Sequence, residues 1–455
     1  MDLDAYLEQH PDTVQIDAFV HDLNGRLRGK RLPVADAAKA WRSGIEMPRS
    51  LLFLDPTGDD LDPGGRSTSI GDPDGTAVPV PGLLAPVPWL EEPTAQVLLQ
   101  MSDPPRGANA GQPSLLCPRA ALAGTLRRFA ELEIVPVVAV ELEFYLLAAE
   151  RGGDGAPRPV ATPGAGGAEA SKQPYSIDDL DAQGAFLGRV AAYARAQGVP
   201  ASAATAENAP GQFEINLRHQ PDAVAACDHA VLLKRLIKAA ARAEGHQASF
   251  MAKPFLDAAG SGMHIHVSLT DRAGANLFAR AAGEGGVEGD RLLGRAVAGL
   301  QAAMPESMAI FGANLNGFRR YRPGFNVPVT PSWGYNNRSV AFRIPAAGGA
   351  ARRVEHRVAG ADANPYLVVA AVLAGMLHGL ERQLTPTAEA SGDVRGGADR
   401  AIPFELGPAL DRLAAAEILP RYIAPEMLAL VVDQKRIEIA RLTGTISRQE
   451  YDWYL

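Results

Sequence analysis

At 455 residues the chain exceeds one ordinary hydrophobic core, and about two or three domains are expected. A hydrophobic share of 47% and a charged share of 21% are those of a soluble globular enzyme, not of a disordered or fibrous chain. The formal net charge is −8 and no lysine- or arginine-rich run stands out, which argues against a nucleic-acid partner.

The opening MDLDAYLEQHPD is acidic, has no apolar core and does not read as a secretory signal. Residues 13–33 carry two alternating apolar stretches around Asn24-Gly25, a strong hairpin signal. Residues 95–101 (AQVLLQM) read as the last strand of this unit, and the Pro- and Gly-rich residues 102–113 as a linker. The boundary is placed there, giving domains 1–103 and 104–455.

A helix is expected over residues 118–133, with Pro118 at its start, then a strand, IVPVVAVELEFYLL. Residues 151–170, dominated by Gly, Ala and Pro, read as an exposed excursion. An amphipathic helix over residues 178–198 stops at Gly198, and a strand over residues 207–218 precedes a long helix over residues 224–243. Residues 292–304 read as helix, and residues 318–345 as loops and strands rich in Arg and Asn. The apolar run at residues 365–380 falls short of the roughly 20 residues a membrane span needs, and reads as a buried helix with no membrane role. The last hundred residues should be mostly helical, broken at residues 385–400. Cys117 and Cys227 form no disulfide framework; both read as packing thiols in a reducing cytoplasm.

Four short segments carry the chemistry. They are Glu141-Leu142-Glu143, ENAPGQFE (residues 207–214), MHIHVS (residues 263–268) and RVEHR (residues 353–357). In a strand, residues i and i+2 share a face. Glu141 therefore points with Glu143, His264 with His266 and Ser268, Arg353 with Glu355 and Arg357, and Glu214 with Asn216 and Arg218. The alternate positions are mostly apolar, for example Val140, Leu142, Ile265 and Val267. A sheet face of carboxylates, imidazoles and guanidiniums is costly unless it binds ions and anions.

Glu141, Glu143, Glu207, Glu214 and Glu355 supply carboxylates and His264 an imidazole. Mostly hard oxygen ligands with one nitrogen suit Mg²⁺ or Mn²⁺ better than Zn²⁺, and two such ions can bridge phosphate oxygens. No Walker A motif exists, since residues 25–30 (GRLRGK) have the wrong spacing and Arg31 follows. Arginines must then grip any phosphate: Arg338, Arg343, Arg353 and Arg357 lie in strand-like segments, with Arg319, Arg320 and Arg322 upstream. His10, His21, His219, His229, His246 and His378 lack a comparable context, and His356 alternates away from Glu355.

Taken in order, DAFVHDLNGRLRGKRLP, LLCPR, VELEF, ENAPGQFE, FMAKP, GSGMHIHVS, NRSVAFRIP, RRVEHR and ANPYL give a chain that resembles the glutamine synthetase family over essentially its whole length. The resemblance implies an α+β protein: an N-terminal β-grasp domain, and a catalytic domain with a curved antiparallel sheet flanked by helices. It implies a homo-dodecamer with active sites between subunits. It implies that Glu143, Glu207 and Glu214 hold one metal ion, and Glu141, His264 and Glu355 the other. By the same resemblance His266, Ser268 and Arg353 contact ATP, and Arg338 and Arg343 grip the transferring phosphate. Arg320 and Arg357 hold the carboxylates of glutamate, and Gly260 lies along that substrate. The implied chemistry is attack of the glutamate γ-carboxylate on ATP, giving γ-glutamyl phosphate, followed by displacement of phosphate by an amine.

The chain departs from the ammonia-using members at the acceptor. Their flap Glu is matched by Asn326, their Asp in the N-terminal domain has only Asp55 or Asp59 as loose counterparts, and the Asn before GSGMH is Ala259. Tyr is absent from residues 385–400, where some bacterial members are adenylylated. Loss of the flap carboxylate weakens a trap for ammonium and leaves room for an alkyl group. The expected activity is therefore glutamate–amine ligation, with polyamines such as putrescine or ethanolamine-like monoamines as acceptors. Ordinary glutamine synthesis, use of another acid substrate, and a catalytically inactive structural role are the alternatives.

Overall fold

Two sheets, built from separate stretches of chain, organise the molecule. The computed structural model describes residues 3–104, 111–153, 155–160, 173–279 and 288–455. After α1 (Leu3–Gln9), β1 (Gln15–His21) pairs antiparallel with β2 (Leu27–Pro33). Gly25 in the connecting turn takes φ +77°, the left-handed conformation that selects glycine there. Helix α2 (Val34–Ser43), β3 (Ile45–Pro48), β4 (Asp74–Pro79), β5 (Ala85–Pro86) and β6 (Thr94–Ser102) complete a six-stranded sheet of order β2-β1-β6-β4-β3, with β5 on β6. β1 and β6 run parallel, the remaining pairs antiparallel, and α2 packs on β2 and β4. This is the helix-crossed mixed sheet expected of a β-grasp unit. The expected linker is closed at its base: Ser102 bridges Pro113, and Asp103 N–H donates to Gln112 at 2.8 Å.

The second part holds α3 (Pro118–Glu131), β7 (Ile134–Ala148), α4 (Ile177–Ala182), α5 (Gly184–Ala196), β8 (Ala201–Ala206) and β9 (Gln212–Leu217). There follow α6 (Ala223–Ala243), β10 (His246–Ser249), β11 (Met263–Asp271), α7 (Glu288–Gly312), α8 (Leu315–Phe318) and three short strands. Those strands are β12 (Trp333–Tyr335), β13 (Phe342–Ile344) and β14 (Val354–His356). The chain ends in α9 (Pro365–Arg382), α10 (Leu406–Ala414), α11 (Pro425–Thr443) and α12 (Arg448–Tyr454). The eight-stranded sheet has the order β12-β13-β14-β11-β7-β9-β8, with β10 on β7, and only β12–β13 is parallel.

One face of this sheet makes the core. Val138, Val140, Leu142 and Phe144 of β7 are fully buried, and α6 packs against that strand. Helix α6 starts where the Asp222 carboxylate accepts from the Val224 and Ala225 N–H groups. Helix α9 starts with Asn364 as cap and Pro365 at its first position. It is apolar nearly all round, which fits its place against α3, α6 and α7. Among the described residues no helix is long and apolar enough to cross a membrane. Cys117 and Cys227 are both buried and unpaired.

Charged side chains tie the two parts together. Arg235 of α6 reaches Asp17 of β1 at 2.7 Å, and Arg119, which forks onto Asp228 at 2.9 and 3.0 Å within the second part, also donates to Gln100 of β6.

Several expectations change in detail. The helix expected over residues 178–198 breaks at Gln183 into α4 and α5. The strand expected over residues 207–218 begins only at Gln212; Glu207 follows β8 and sits at the start of a β8–β9 turn. Gly211, at φ +69°, closes that turn. Strands β8 and β10 are additional to those that the sequence predicts. Helix α7 runs past Met304 and through Pro305, because a buried stripe that includes Met304, Met308 and Ala309 outweighs the lost N–H. The excursion at residues 151–170 lies largely outside the described residues.

Candidate active site

The polar face of the eight-stranded sheet is the floor of a cavity of about 840 Å³. The strand order makes β14, β11, β7 and β9 consecutive, so the four polar segments become neighbours. Register then sets opposite groups level. His264 stands opposite Glu141, Glu143 opposite Glu214, and Glu355 opposite both His266 and Arg343.

Two ligand clusters result. Glu141, His264 and Glu355 bring ligand atoms within 4.8 Å of one another, and so do Glu143, Glu214 and His264. His264 Nδ1 is 3.2 Å from Glu141 Oε2, and its Nε2 is 3.8 Å from Glu143 Oε1. His266 Nε2 lies 2.8 Å from Glu141 Oε1, though out of line for a hydrogen bond. Glu207 lines the cavity beside these groups.

The electrostatics are unbalanced. Burial and the nearby Glu143 push the Glu207 carboxyl up to about 7. Burial, then Glu141, push Glu214 up to about 8, against the pull of His264. Burial would also raise Glu141, but the His264 and His266 imidazoles outweigh it and hold that carboxyl low. For Glu355 burial is again overcome, here by Arg357, His266, His264 and Arg343, and its carboxyl falls to about 2. Glu207 and Glu214 thus resist ionising beside the other carboxylates, and a bound cation would favour their charged forms. The donor set of carboxylate oxygens with one imidazole fits hard divalent ions. Those residues therefore fit the metal groups that the sequence leads one to expect.

The arginines ring this floor. Arg343 donates to Glu355 Oε2 at 2.6 Å and to Asn336 Oδ1 at 3.0 Å, and Arg357 pairs with the other Glu355 oxygen. Arg353 Nε meets His266 Nδ1 at 3.1 Å. Arg338 is exposed, and donates to the Tyr175 hydroxyl at 2.6 Å. Arg320 is almost wholly buried; one end donates to Val358 O at 3.1 Å, while its Nε has no partner.

Of the residues expected at the site, Gly260, Arg320, Asn326, Arg338, Arg343, Arg353, Arg357, His266 and the six ligand residues line the cavity. Ser268 does not. It shares the β11 face further along, and its hydroxyl donates to Arg352 O at 3.2 Å. Asp55 and Asp59 are also outside: Asp55 accepts from the Thr57, Gly58 and Asp59 N–H groups and pairs with Arg441.

The structure adds residues that the sequence does not single out. Three consecutive carbonyls of the loop leading to Gly260 are each held by a side chain. Lys253 Nζ donates to Ala258 O, the Tyr145 hydroxyl to Ala259 O at 2.7 Å, and Gln212 Nε2 to Gly260 O at 3.1 Å. Tyr175, at φ +64°, holds an unfavourable backbone conformation at the rim. His219 stacks edge-on against His266, with ring centres 6.0 Å apart. His356 faces away from the cavity, against Phe311 and Phe342.

Residues 115–454 match the family model for the glutamine synthetase catalytic domain. The chain is 40% identical over 452 residues to γ-glutamylputrescine synthetase of Escherichia coli, covering 99% of this chain and 93% of that protein. It is 33% identical over 424 residues to a glutamate–isopropylamine ligase of a Pseudomonas species, covering 91% of this chain and 86% of the ligase. Among solved structures, a GmaS/ADP complex superposes with a TM-score of 0.83 at 27% identity, over 100% of this chain and 99% of that one. The chain belongs to the glutamine synthetase family.

Proposed function

We propose that the protein is an ATP-dependent ligase that joins the γ-carboxylate of glutamate to an organic amine through γ-glutamyl phosphate. A γ-carboxylate oxygen attacks the terminal phosphorus of ATP and ADP departs. The amine nitrogen then attacks the acyl carbon, phosphate departs with the carboxylate oxygen, and the amine gives up a proton.

Two anions must meet in the first step, so the site must cancel their repulsion. Arg338 and Arg343 grip the transferring phosphate, where fixed guanidiniums stabilise charge without reorganising. Arg353 and His266 serve the nucleotide side, whereas Ser268, turned onto Arg352 O outside the cavity, is left without that role. Arg320 and Arg357 take the glutamate carboxylates, and the loop ending at Gly260 lies along that substrate. Glu143, Glu207 and Glu214 would hold one divalent ion and Glu141, His264 and Glu355 a second, Mg²⁺ or Mn²⁺. Such ions, when bound, neutralise phosphate oxygens.

The observation that carries the choice of acceptor is Asn326. It lines the cavity as a neutral amide whose oxygen accepts from Arg395 at 2.9 Å, so the flap offers no carboxylate to an ammonium ion. The two relatives named above also support an organic acceptor, since their names specify putrescine and isopropylamine as the amines joined to glutamate. Putrescine-like polyamines and small monoamines are the classes proposed. The same reading divides the chain at residues 103/104 and places it in the cytoplasm as a homo-dodecamer with sites between subunits. The family resemblance and the two buried, unpaired thiols support it.

The test is phosphate release and amide formation with glutamate, ATP, Mg²⁺ or Mn²⁺, and a panel of ammonia, ethanolamine, isopropylamine and putrescine. Turnover with at least one organic amine well above that with ammonia is expected. Efficient turnover with ammonia and none with any organic amine would overturn the proposal.

A further inference from the structure

We infer that Arg395 is a positioning residue that holds the wall formed by residues 322–327 against the cavity, and that it acts through Asn326. Two contacts make the hold. Gly324 N–H donates to Arg395 O at 2.7 Å, and Arg395 Nη1 donates to Asn326 Oδ1 at 2.9 Å. The rest of the guanidinium is fixed by the Asp393 carboxylate, at 2.9 and 3.0 Å from Nε and 2.6 Å from Nη2.

The segment bearing Arg395 has its own anchors. Val394 N–H donates to Ser339 Oγ at 3.1 Å, and Asn337 Nδ2 donates to Gly392 O at 2.8 Å. Among the described residues, the other hydrogen bonds of the wall are local, from Arg322 N–H to Arg320 O and from Phe325 N–H to Arg322 O. Lys253 stands 4.5 Å from the Phe325 ring and adds a cation–π contact. Hydrogen bonding of the wall to a more distant part of the fold therefore runs through Arg395. Asp393 also cancels the guanidinium charge, so the clasp sets no uncompensated cation beside an incoming ammonium.

The consequence is chemical and rests on the ligase reading above. γ-Glutamyl phosphate is an acyl phosphate, and water competes with the amine for its acyl carbon. If water attacks, its oxygen stays in the regenerated glutamate carboxylate and the acyl C–O bond to phosphate breaks. Phosphate departs, and the two protons of water go to phosphate and solvent. ATP is then spent without product. A wall held against the cavity limits this loss by excluding water.

The experiment measures phosphate released per γ-glutamylamide formed, with ATP, glutamate and the best amine of the panel, for wild type, Arg395→Met, Asn326→Ala and the double variant. Arg395→Met should raise that ratio roughly tenfold, the weight of one hydrogen bond from a charged donor. Arg395 is 42% exposed, and its thermal midpoint should stay close to wild type. Arg395→Lys keeps a cation for Asp393 but not the fork, and should give an intermediate ratio. The double variant should be no worse than the poorer single one, because both substitutions break one contact. A wild-type ratio in Arg395→Met, or effects that multiply in the double variant, would overturn the inference and leave the ligase reading standing. Wild-type protein that forms no γ-glutamylamide with any amine would overturn both.

Discussion

Glu143 and Glu214 are direct partners in the β7–β9 ladder, and both carboxylates turn toward His264. Like charges placed opposite each other destabilise an antiparallel pair. Here burial and neighbouring carboxylates push Glu214 up to about 8, so it is largely protonated at neutral pH unless a cation joins it. Glu214→Gln should melt at or above the wild-type temperature in chelator, because a neutral amide replaces a carboxyl that is already largely neutral without the ion and removes the residual cost of ionising it there. Wild type should gain about 2–3 kcal/mol from Mg²⁺ or Mn²⁺ at a hundred times the dissociation constant, and the variant should lose most of that gain. Thermal melts with and without the ion check this. A wild type that the ions leave unshifted would refute the assigned ligand set.

Arg343 is placed to do more than neutralise Glu355. Its fork spans Glu355 Oε2 and Asn336 Oδ1, which fixes the guanidinium plane at the cavity wall. Arg343→Met should lower the rate of product formation by about 10²–10³-fold, the usual cost of one preorganised donor to developing charge. Arg343→Lys should restore little, since an ammonium cannot reproduce the fork. Glu355 keeps its pair with Arg357, so the fold should survive. Steady-state ADP release together with a thermal melt separates the two effects.

Gly260 has no room for a side chain. An added Cβ would stand 2.8 Å from both Ala252 O and Arg320 Cγ. The backbone around it is pinned through the carbonyls of Ala258, Ala259 and Gly260, so Arg320 must move. Gly260→Ala should therefore raise KM for glutamate about tenfold or more with little change for ATP, if Arg320 holds a glutamate carboxylate. Equal effects on both substrates would place Arg320 elsewhere in the reaction.

The face-sharing of these groups is legible in the chain because strand alternation is local: Glu141 with Glu143 and His264 with His266 follow from period two alone. Their register is not. Whether His264 meets Glu141 or slides past it depends on pairing over nine positions of β11 with β7, which no local pattern encodes. Pro210 and Gly211 signal the turn that puts Glu207 off the strand, and the apolar spacing around them masks it. β8 (ASAATA) and β10 (HQAS) carry too few large apolar residues to announce strands. Tyr175 and Lys253 act at the cavity through partners distant in sequence or in a loop, Arg338 in one case and Ala258 O in the other, so their roles appear only in three dimensions. Ser268 shows the converse. It shares the right face but lies far enough along β11 to bond Arg352 instead.

Away from the site, His21 should control part of the acid response. It is buried beside Asn364 and edge-on to Tyr366; burial first, then Lys234 and Lys238, lower its pKa from 6.5 to about 3. The unfolded chain takes up a proton at this residue near pH 6.5, while the folded one does not until about pH 3. Below pH 6.5 the unfolded state therefore binds more protons, and stability falls as pH falls, by up to about 1.4 kcal/mol per pH unit from this group. His21→Phe removes the titration, and Asn364 keeps its bond to Asp22 O at 3.0 Å. Between pH 7.5 and pH 5 the thermal midpoint of wild type should therefore drop further than that of the variant, measured in chelator so that metal-ligand protonation is common to both. Parallel midpoints across that range would mean that His21 accepts its proton in the folded state.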